Sequence, residues 1–162
     1  MEIIVPKITL PKYPIFESKY FDVREYVDAR TWFILGIEAA WMIDERTVKI
    51  DNLIREKTGC AVTINNWWMA TPKNQIFDSS GYRPKWDEEG GLLSQHRCGR
   101  ASDKRVRGMT PREVLKIIMQ NEDEFLDAGL TTIENLDHTP SWLHTDCRAK
   151  LHKNAGILFV NP

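Results

Sequence analysis

This chain of 162 residues has few cysteines, no long apolar run and nearly balanced charges. No apolar run approaches the ~18 residues that a membrane-spanning helix needs. The formal net charge is -1, so the chain lacks the positive excess with which proteins bind nucleic acid. There are three cysteines, and no Cys-x-x-Cys spacing, which argues against a disulfide framework or a structural zinc site. We therefore expect no membrane span and no nucleic-acid partner.

The composition is that of a folded globular protein, 42% hydrophobic and 28% charged. With this length we expect a single domain over residues 1–162, in which the proline-punctuated residues 1–20 form an extended N-terminal arm. The opening MEIIVPKITLPKYP has an early glutamate and no long apolar core. We therefore expect no signal peptide, and synthesis in a cytoplasm.

Periodicity and capping signals predict helices in the first half of the chain and a mixture of strands and a helix later. One apolar helix should start near Asp28 and extend over residues 28–43, a second should run from Asp44 to Gly59, and a third from Thr110 to Gly129. Short strands are predicted at residues 60–66, 130–136, 141–148 and 156–160, and a loop at 71–93. These elements indicate an α+β fold, a small antiparallel sheet with flanking helices.

Two segments carry residues able to bind a metal ion. In SWLHTDCR (141–148), strand alternation would place His144 and Asp146 on one face. In LLSQHRCGRASD (92–103), His96 and Asp103 stand on either side of the small residues Gly99 and Ala101. Two imidazoles and one carboxylate would leave one coordination position of a metal ion open. Catalytic zinc sites have such an open position, at which the metal activates water and polarises a carbonyl group. The spacing alone favours a polar loop entering a strand over a metal site.

The same segments resemble a known family. SQHRCGRASD matches the Ser-x-His-x-x-Gly-x-Ala-x-Asp signature of the zinc D-alanyl-D-alanine carboxypeptidases and related peptidoglycan peptidases, the LAS superfamily. WLHTDCR resembles the Trp/Phe-x-His-x-Asp-x-Arg segment of a phage and bacterial branch of that group, and SSGYRP (79–84) resembles its Ser-Gly-Tyr-Arg segment. The resemblance covers about residues 20–150. It implies a fold shared with the hedgehog signalling domain, which by itself does not establish catalysis.

The resemblance also implies roles for individual residues. His96, Asp103 and His144 would bind Zn²⁺, and Ser94 would hydrogen-bond the substrate. Arg83 would polarise the scissile carbonyl or hold a substrate carboxylate.

One position departs from the family pattern. Many relatives have an acidic general base three residues before the last zinc histidine, where this chain has Ser141. Asp146 is the nearest replacement, although it could instead orient a zinc histidine. Glu134, Asp137 and His138 are further candidates.

Two other features of the sequence bear on a binding cleft. We expect Trp142 to pack in the core. The basic residues around the signature would form either a solvated face or a cleft rim that attracts an acidic polymer; these are Arg97, Arg100, Lys104, Arg105 and Arg107.

Together these observations predict a zinc metallopeptidase that cuts peptidoglycan stem peptides, as a carboxypeptidase or an endopeptidase. Without a signal peptide, such an enzyme would act on the cell wall as a phage or prophage endolysin released through a holin, or as a virion component. The alternative is a non-catalytic virion structural protein that retains the peptidase fold, with or without the metal. The absent acid at Ser141 favours this alternative, and the complete ligand set opposes it.

Overall fold

A computed structural model describes residues 16–69, 75–89, 91–149 and 155–162, so most of the predicted N-terminal arm lies outside the described residues. The fold is α+β, as predicted, and the described residues form a five-stranded mixed sheet and four α-helices. The strands are β1 (Val62–Thr63), β2 (Ala101–Val106), β3 (Thr132–Glu134), β4 (Leu143–Asp146) and β5 (Leu158–Val160), in the order β1-β2-β4-β3-β5. The helices are α1 (Ala29–Leu35), α2 (Glu45–Thr58), α3 (Pro111–Gln120) and α4 (Glu122–Asp127). No helix in the described part of the chain is long and apolar enough to cross a bilayer.

The sheet is antiparallel as predicted in three of its four strand pairs. The fourth pair differs, because β5 runs parallel to β3. The predicted loop at 71–93 contains no helix or strand in its described parts, residues 75–89 and 91–93.

The capping signals mark the helix starts correctly, whereas two helices end earlier than predicted. The side chain of Asp44 caps α2, and Gly59 follows that helix in the left-handed conformation. Thr110 and Glu113 form the predicted capping box of α3. The predicted helix to Gly129 is divided into α3 and α4 at Asn121. Likewise, Gly36 with a positive φ ends α1, and a 3-10 helix (Gly36–Met42) continues the chain.

Strand alternation gives the sheet one apolar face and one polar face. Leu143, Cys147 and Ile133 belong to the main core cluster together with residues of α2 and α3. His144 and Asp146 point to the opposite face, as the sequence pattern predicts for this strand. The candidate site therefore lies on the face of the sheet opposite α2 and α3.

A buried ion pair connects α2 to the sheet. Lys104 Nζ lies 2.7 Å from Asp51 Oδ1, and both side chains are fully buried. Ser102 donates a hydrogen bond to the other Asp51 oxygen at 2.8 Å, and Lys104 also donates to Thr145. Lys104 is thus a core residue and not part of a basic cleft rim, because its position on β2 faces α2.

Gly99 follows the short helix that carries His96 and is required there for two reasons. Its φ is +66°, and an added Cβ would lie 1.9 Å from the carbonyl oxygen of Met42. We expect Gly99→Ala to lower the free energy of unfolding by more than about 2 kcal/mol, because backbone strain and a clash act together. Gly108→Ala is a matched control, since Gly108 has φ +74° and open space around it, and should cost about 1 kcal/mol. Urea unfolding measures both; equal losses would show that the close approach to Met42 is unimportant.

Candidate metal centre

Three neighbouring strands place acidic and imidazole side chains in one row across the polar face. Asp103 on β2 is paired with His144 on β4. Thr132 and Ile133 on β3 are paired with Asp146 and Thr145, so the same register places Glu134 beside His144. Consistent with this, Glu134 Oε1 lies 3.8 Å from His144 Nδ1.

His96 completes the group from outside the sheet. It lies in a 3-10 helix (Gln95–Cys98) that the left-handed Gly99 ends just before β2 begins. His96 Nε2, Asp103 Oδ1 and His144 Nδ1 form a triangle with edges of 3.4, 2.8 and 3.2 Å. Two ligands of a tetrahedral zinc ion are separated by about 3.4 Å, given metal–ligand distances near 2.1 Å. This buried group could therefore hold a metal ion.

The second nitrogen of each imidazole ring also has a neighbour that favours this arrangement. His96 Nδ1 lies 2.7 Å from the carbonyl oxygen of Gly81, which accepts its proton and leaves Nε2 free to bind a metal. His144 Nε2 lies 3.4 Å from Asp146 Oδ2, on the ring edge away from the other ligands. Neighbours of this kind fix the orientation of histidine ligands in metal proteins.

Burial and polar neighbours shift the pKa values of Asp103, His144 and Asp146 in opposite directions. Burial disfavours ionised Asp103, but the neighbouring imidazoles of His96 and His144 hold its pKa well below the usual range. Burial likewise disfavours protonated His144, yet hydrogen bonds to Asp103 and Asp146 raise its pKa to about 9. For Asp146, burial is outweighed by hydrogen bonds from His144 and Arg148, which lower its pKa to about 2.

The SSGYRP segment holds two of the three candidate ligands, His96 and Asp103, in place. Ser80 accepts a backbone hydrogen bond from Asp103 at 2.7 Å, and Arg83 donates one to the carbonyl of His96 at 3.2 Å. The side chain of Arg83 donates to Asp103 Oδ2 at 2.9 Å and to the carbonyl of Ser79 at 2.6 Å. Arg83 therefore points toward the centre and fixes Asp103 with Oδ1 facing the histidines.

An open cleft of about 410 Å³ leads to the group. Ser94, Glu134 and His138 line it, and the predicted substrate-binding Ser94 is half-buried in its wall. Trp142 lines the cleft as well and is not a core residue. The prediction for Trp142 was wrong because it lies two residues before His144 and therefore on the same side of the chain.

The candidate general bases differ in their distance from the ligand atoms. Asp146 is fully buried, lies beside the remote nitrogen of His144 and is held by the guanidinium of Arg148. Asp137 forms a surface ion pair with Arg112 at 2.7 Å, and Ser141 is exposed. Glu134 alone among these carboxylates lines the cleft and approaches the metal-facing nitrogen of His144. Sequence alternation places Glu134 on a strand face, but only the pairing of β3 with β4 brings it to His144.

Comparison with models of known protein families, with curated proteins and with solved structures found no match for this chain.

Proposed function

We propose that the protein is a zinc-dependent peptidase that hydrolyses peptide bonds in peptidoglycan stem peptides. The convergence of His96, Asp103 and His144 on one tetrahedral set of positions carries the metal part of this proposal. The open cleft supports a catalytic site, since structural zinc sites are closed by a fourth protein ligand. The peptidoglycan substrate follows from the family resemblance of the three motifs.

The residues fit zinc by ligand type, by distance and by the partners of their remote atoms. When bound, zinc would supply Lewis acidity toward a carbonyl oxygen and toward water. Gly81 and Asp146 would orient the two imidazoles, and Arg83 would orient the carboxylate of Asp103. Ser94 would bind the peptide in the cleft.

Glu134 is the residue that we assign as general base. Its carboxylate lies at the cleft wall with its side chain 16% exposed, so it can reach a water molecule and later the leaving amine. Asp146 takes the alternative role that the sequence leaves open, orientation of His144. With Glu134 as the general base, the absence of a carboxylate at Ser141 no longer argues against catalysis.

The test is hydrolysis of purified peptidoglycan by the zinc-loaded chain, followed by mass spectrometry of the released peptides. We expect new peptide termini that chelator abolishes and zinc restores, and none with His144→Ala. Release of peptides without any dependence on metal would contradict the proposal. Stoichiometric zinc binding without cleavage of any peptidoglycan would favour the non-catalytic virion protein.

Metal removal should also lower thermal stability, because the ligands tie a 3-10 helix and two strands together. At free zinc of about 100 times the dissociation constant, the stabilisation is about 2.7 kcal/mol. Scanning calorimetry with chelator and with added zinc measures it. His96→Ala should lose this response, whereas His138→Ala should keep it, since His138 lines the cleft without joining the ligand group. An unchanged melting curve after verified metal loss would show that the ligand group does not couple metal to folding.

A further inference from the structure

A second cavity of about 240 Å³ adjoins the metal centre on the same face of the sheet. It shares Arg83, Asp103 and Trp142 with the cleft described above. A peptide placed over the metal centre therefore has a direct path into this cavity. The residue of interest within it is Arg105.

The strands place Arg105 one step along the face from the ligand row. It follows Asp103 by two residues on β2, a displacement of about 6.6 Å along the strand. Continuing the pairing of Asp103 with His144 and of Lys104 with Leu143 places Arg105 opposite Trp142. The Arg105 Cζ atom lies 5.8 Å from the centre of the Trp142 ring.

The guanidinium of Arg105 is held in position yet has unused hydrogen-bonding capacity. Its Cζ atom stacks 3.6 Å from the centre of the Phe77 ring. Its Nη1 atom is buried and has no hydrogen-bond partner, and no carboxylate of the described residues forms an ion pair with Arg105. In contrast, Arg83 is occupied by Asp103. The rest of the side chain is partly exposed and lines the cavity, where a ligand could accept hydrogen bonds from its unpaired N–H groups.

The chemistry of the cavity selects the kind of ligand. Its carboxylate-bearing residues other than Asp103 are Asp78 and Glu89, which are exposed at the rim. A planar guanidinium fixed by aromatic stacking presents two parallel N–H groups, which match a carboxylate. We propose that Arg105 forms a subsite for a peptide carboxylate, placed within two residues of the bond presented to the metal centre. The proposal rests on the proposed function and names a feature of its substrate.

The test is calorimetric titration with three synthetic peptides. The first is L-Ala-γ-D-Glu-L-Lys-D-Ala-D-Ala; the second carries an amide in place of the glutamate α-carboxylate, and the third an amide at the C-terminus. The titrated protein is the zinc-loaded Glu134→Gln variant, which should cut the peptides at least ~100-fold more slowly. We expect one of the two amides to weaken binding to it by about 10-fold or more, as expected for loss of a charge-assisted hydrogen bond. Mass spectrometry checks that each peptide stays intact during the titration.

The variants assign that difference to Arg105. Arg105→Gln should remove the preference for the carboxylate, and Arg107→Gln, an exposed arginine two residues further on, should keep it. The Nε–Hε signal of Arg105 in a ¹⁵N spectrum should shift with the acidic peptide and not with the discriminating amide. Equal binding of all three peptides, or a preference that survives in Arg105→Gln, would overturn the subsite. A preference that depends on Arg105 in a chain that cuts no peptidoglycan would overturn the proposed function alone.

Discussion

Glu134→Gln is expected to lower peptidoglycan hydrolysis at least ~100-fold, the lower end of what a general base contributes. The amide keeps the shape of the side chain at the cleft wall but cannot accept a proton from water. Zinc affinity should change little, because Glu134 lies 3.8 Å from His144 Nδ1 and is not one of the three ligands. Initial rates at saturating zinc, together with metal analysis of the same samples, measure the two effects separately.

Asp146→Asn is the matched control for this experiment. It removes a carboxylate that lies 3.4 Å from His144, but at the other ring nitrogen. We expect zinc affinity to fall about 10–100-fold, as for other residues that orient histidine ligands, and activity to return at high zinc. If Asp146→Asn is inactive at saturating zinc while Glu134→Gln is active, Asp146 is the general base and Glu134 is not.

Lys104→Met is expected to lower the free energy of unfolding by about 3–5 kcal/mol, and Asp51→Asn by a similar amount. Each change leaves one buried charge without its partner, in a place that water does not reach. Urea unfolding at neutral pH measures the loss. Glu45→Gln, on α2 like Asp51, should lower the free energy of unfolding by about 0.5 kcal/mol or less, because the ion pair of Glu45 with Lys49 is exposed.

The double variant Asp51→Leu with Lys104→Met separates the charge from the packing. With both charges removed, the desolvation penalty disappears, so the double variant should be more stable than Lys104→Met alone. If the two losses simply add, the pair contributes through packing and hydrogen bonds to Ser102 and Thr145 instead of through its charges.

Local signals were sufficient for much of the fold. Side-chain caps and left-handed glycines are read from a few adjacent residues, and they mark α2 correctly at Asp44 and Gly59. Strand alternation in 141–148 correctly separates His144 from Leu143. Helix ends at Gly36 and Asn121 were missed, because continued apolar periodicity outweighed a single unfavourable residue in the sequence pattern.

The site was only partly accessible from sequence. His96, Asp103 and His144 were named together from motifs, and the structure brings their ligand atoms within 4.8 Å of one another. Lys104 and Arg105 are adjacent in the sequence and were treated alike. The strand sends Lys104 into the core and Arg105 toward the polar face, so their environments differ completely.

By itself, the sequence determined the ligand types, the faces of individual strands and the starts of the helices, since each of these depends on residues close together in the chain. Only the tertiary structure decided which residues became neighbours across the sheet. The pairing of β3, β4 and β2 sets Glu134, His144 and Asp103 in one row, and that register is fixed by packing of the apolar face against α2 and α3. A shift of one residue in any strand would turn its site residue toward the core, so these three side chains meet only in the folded sheet.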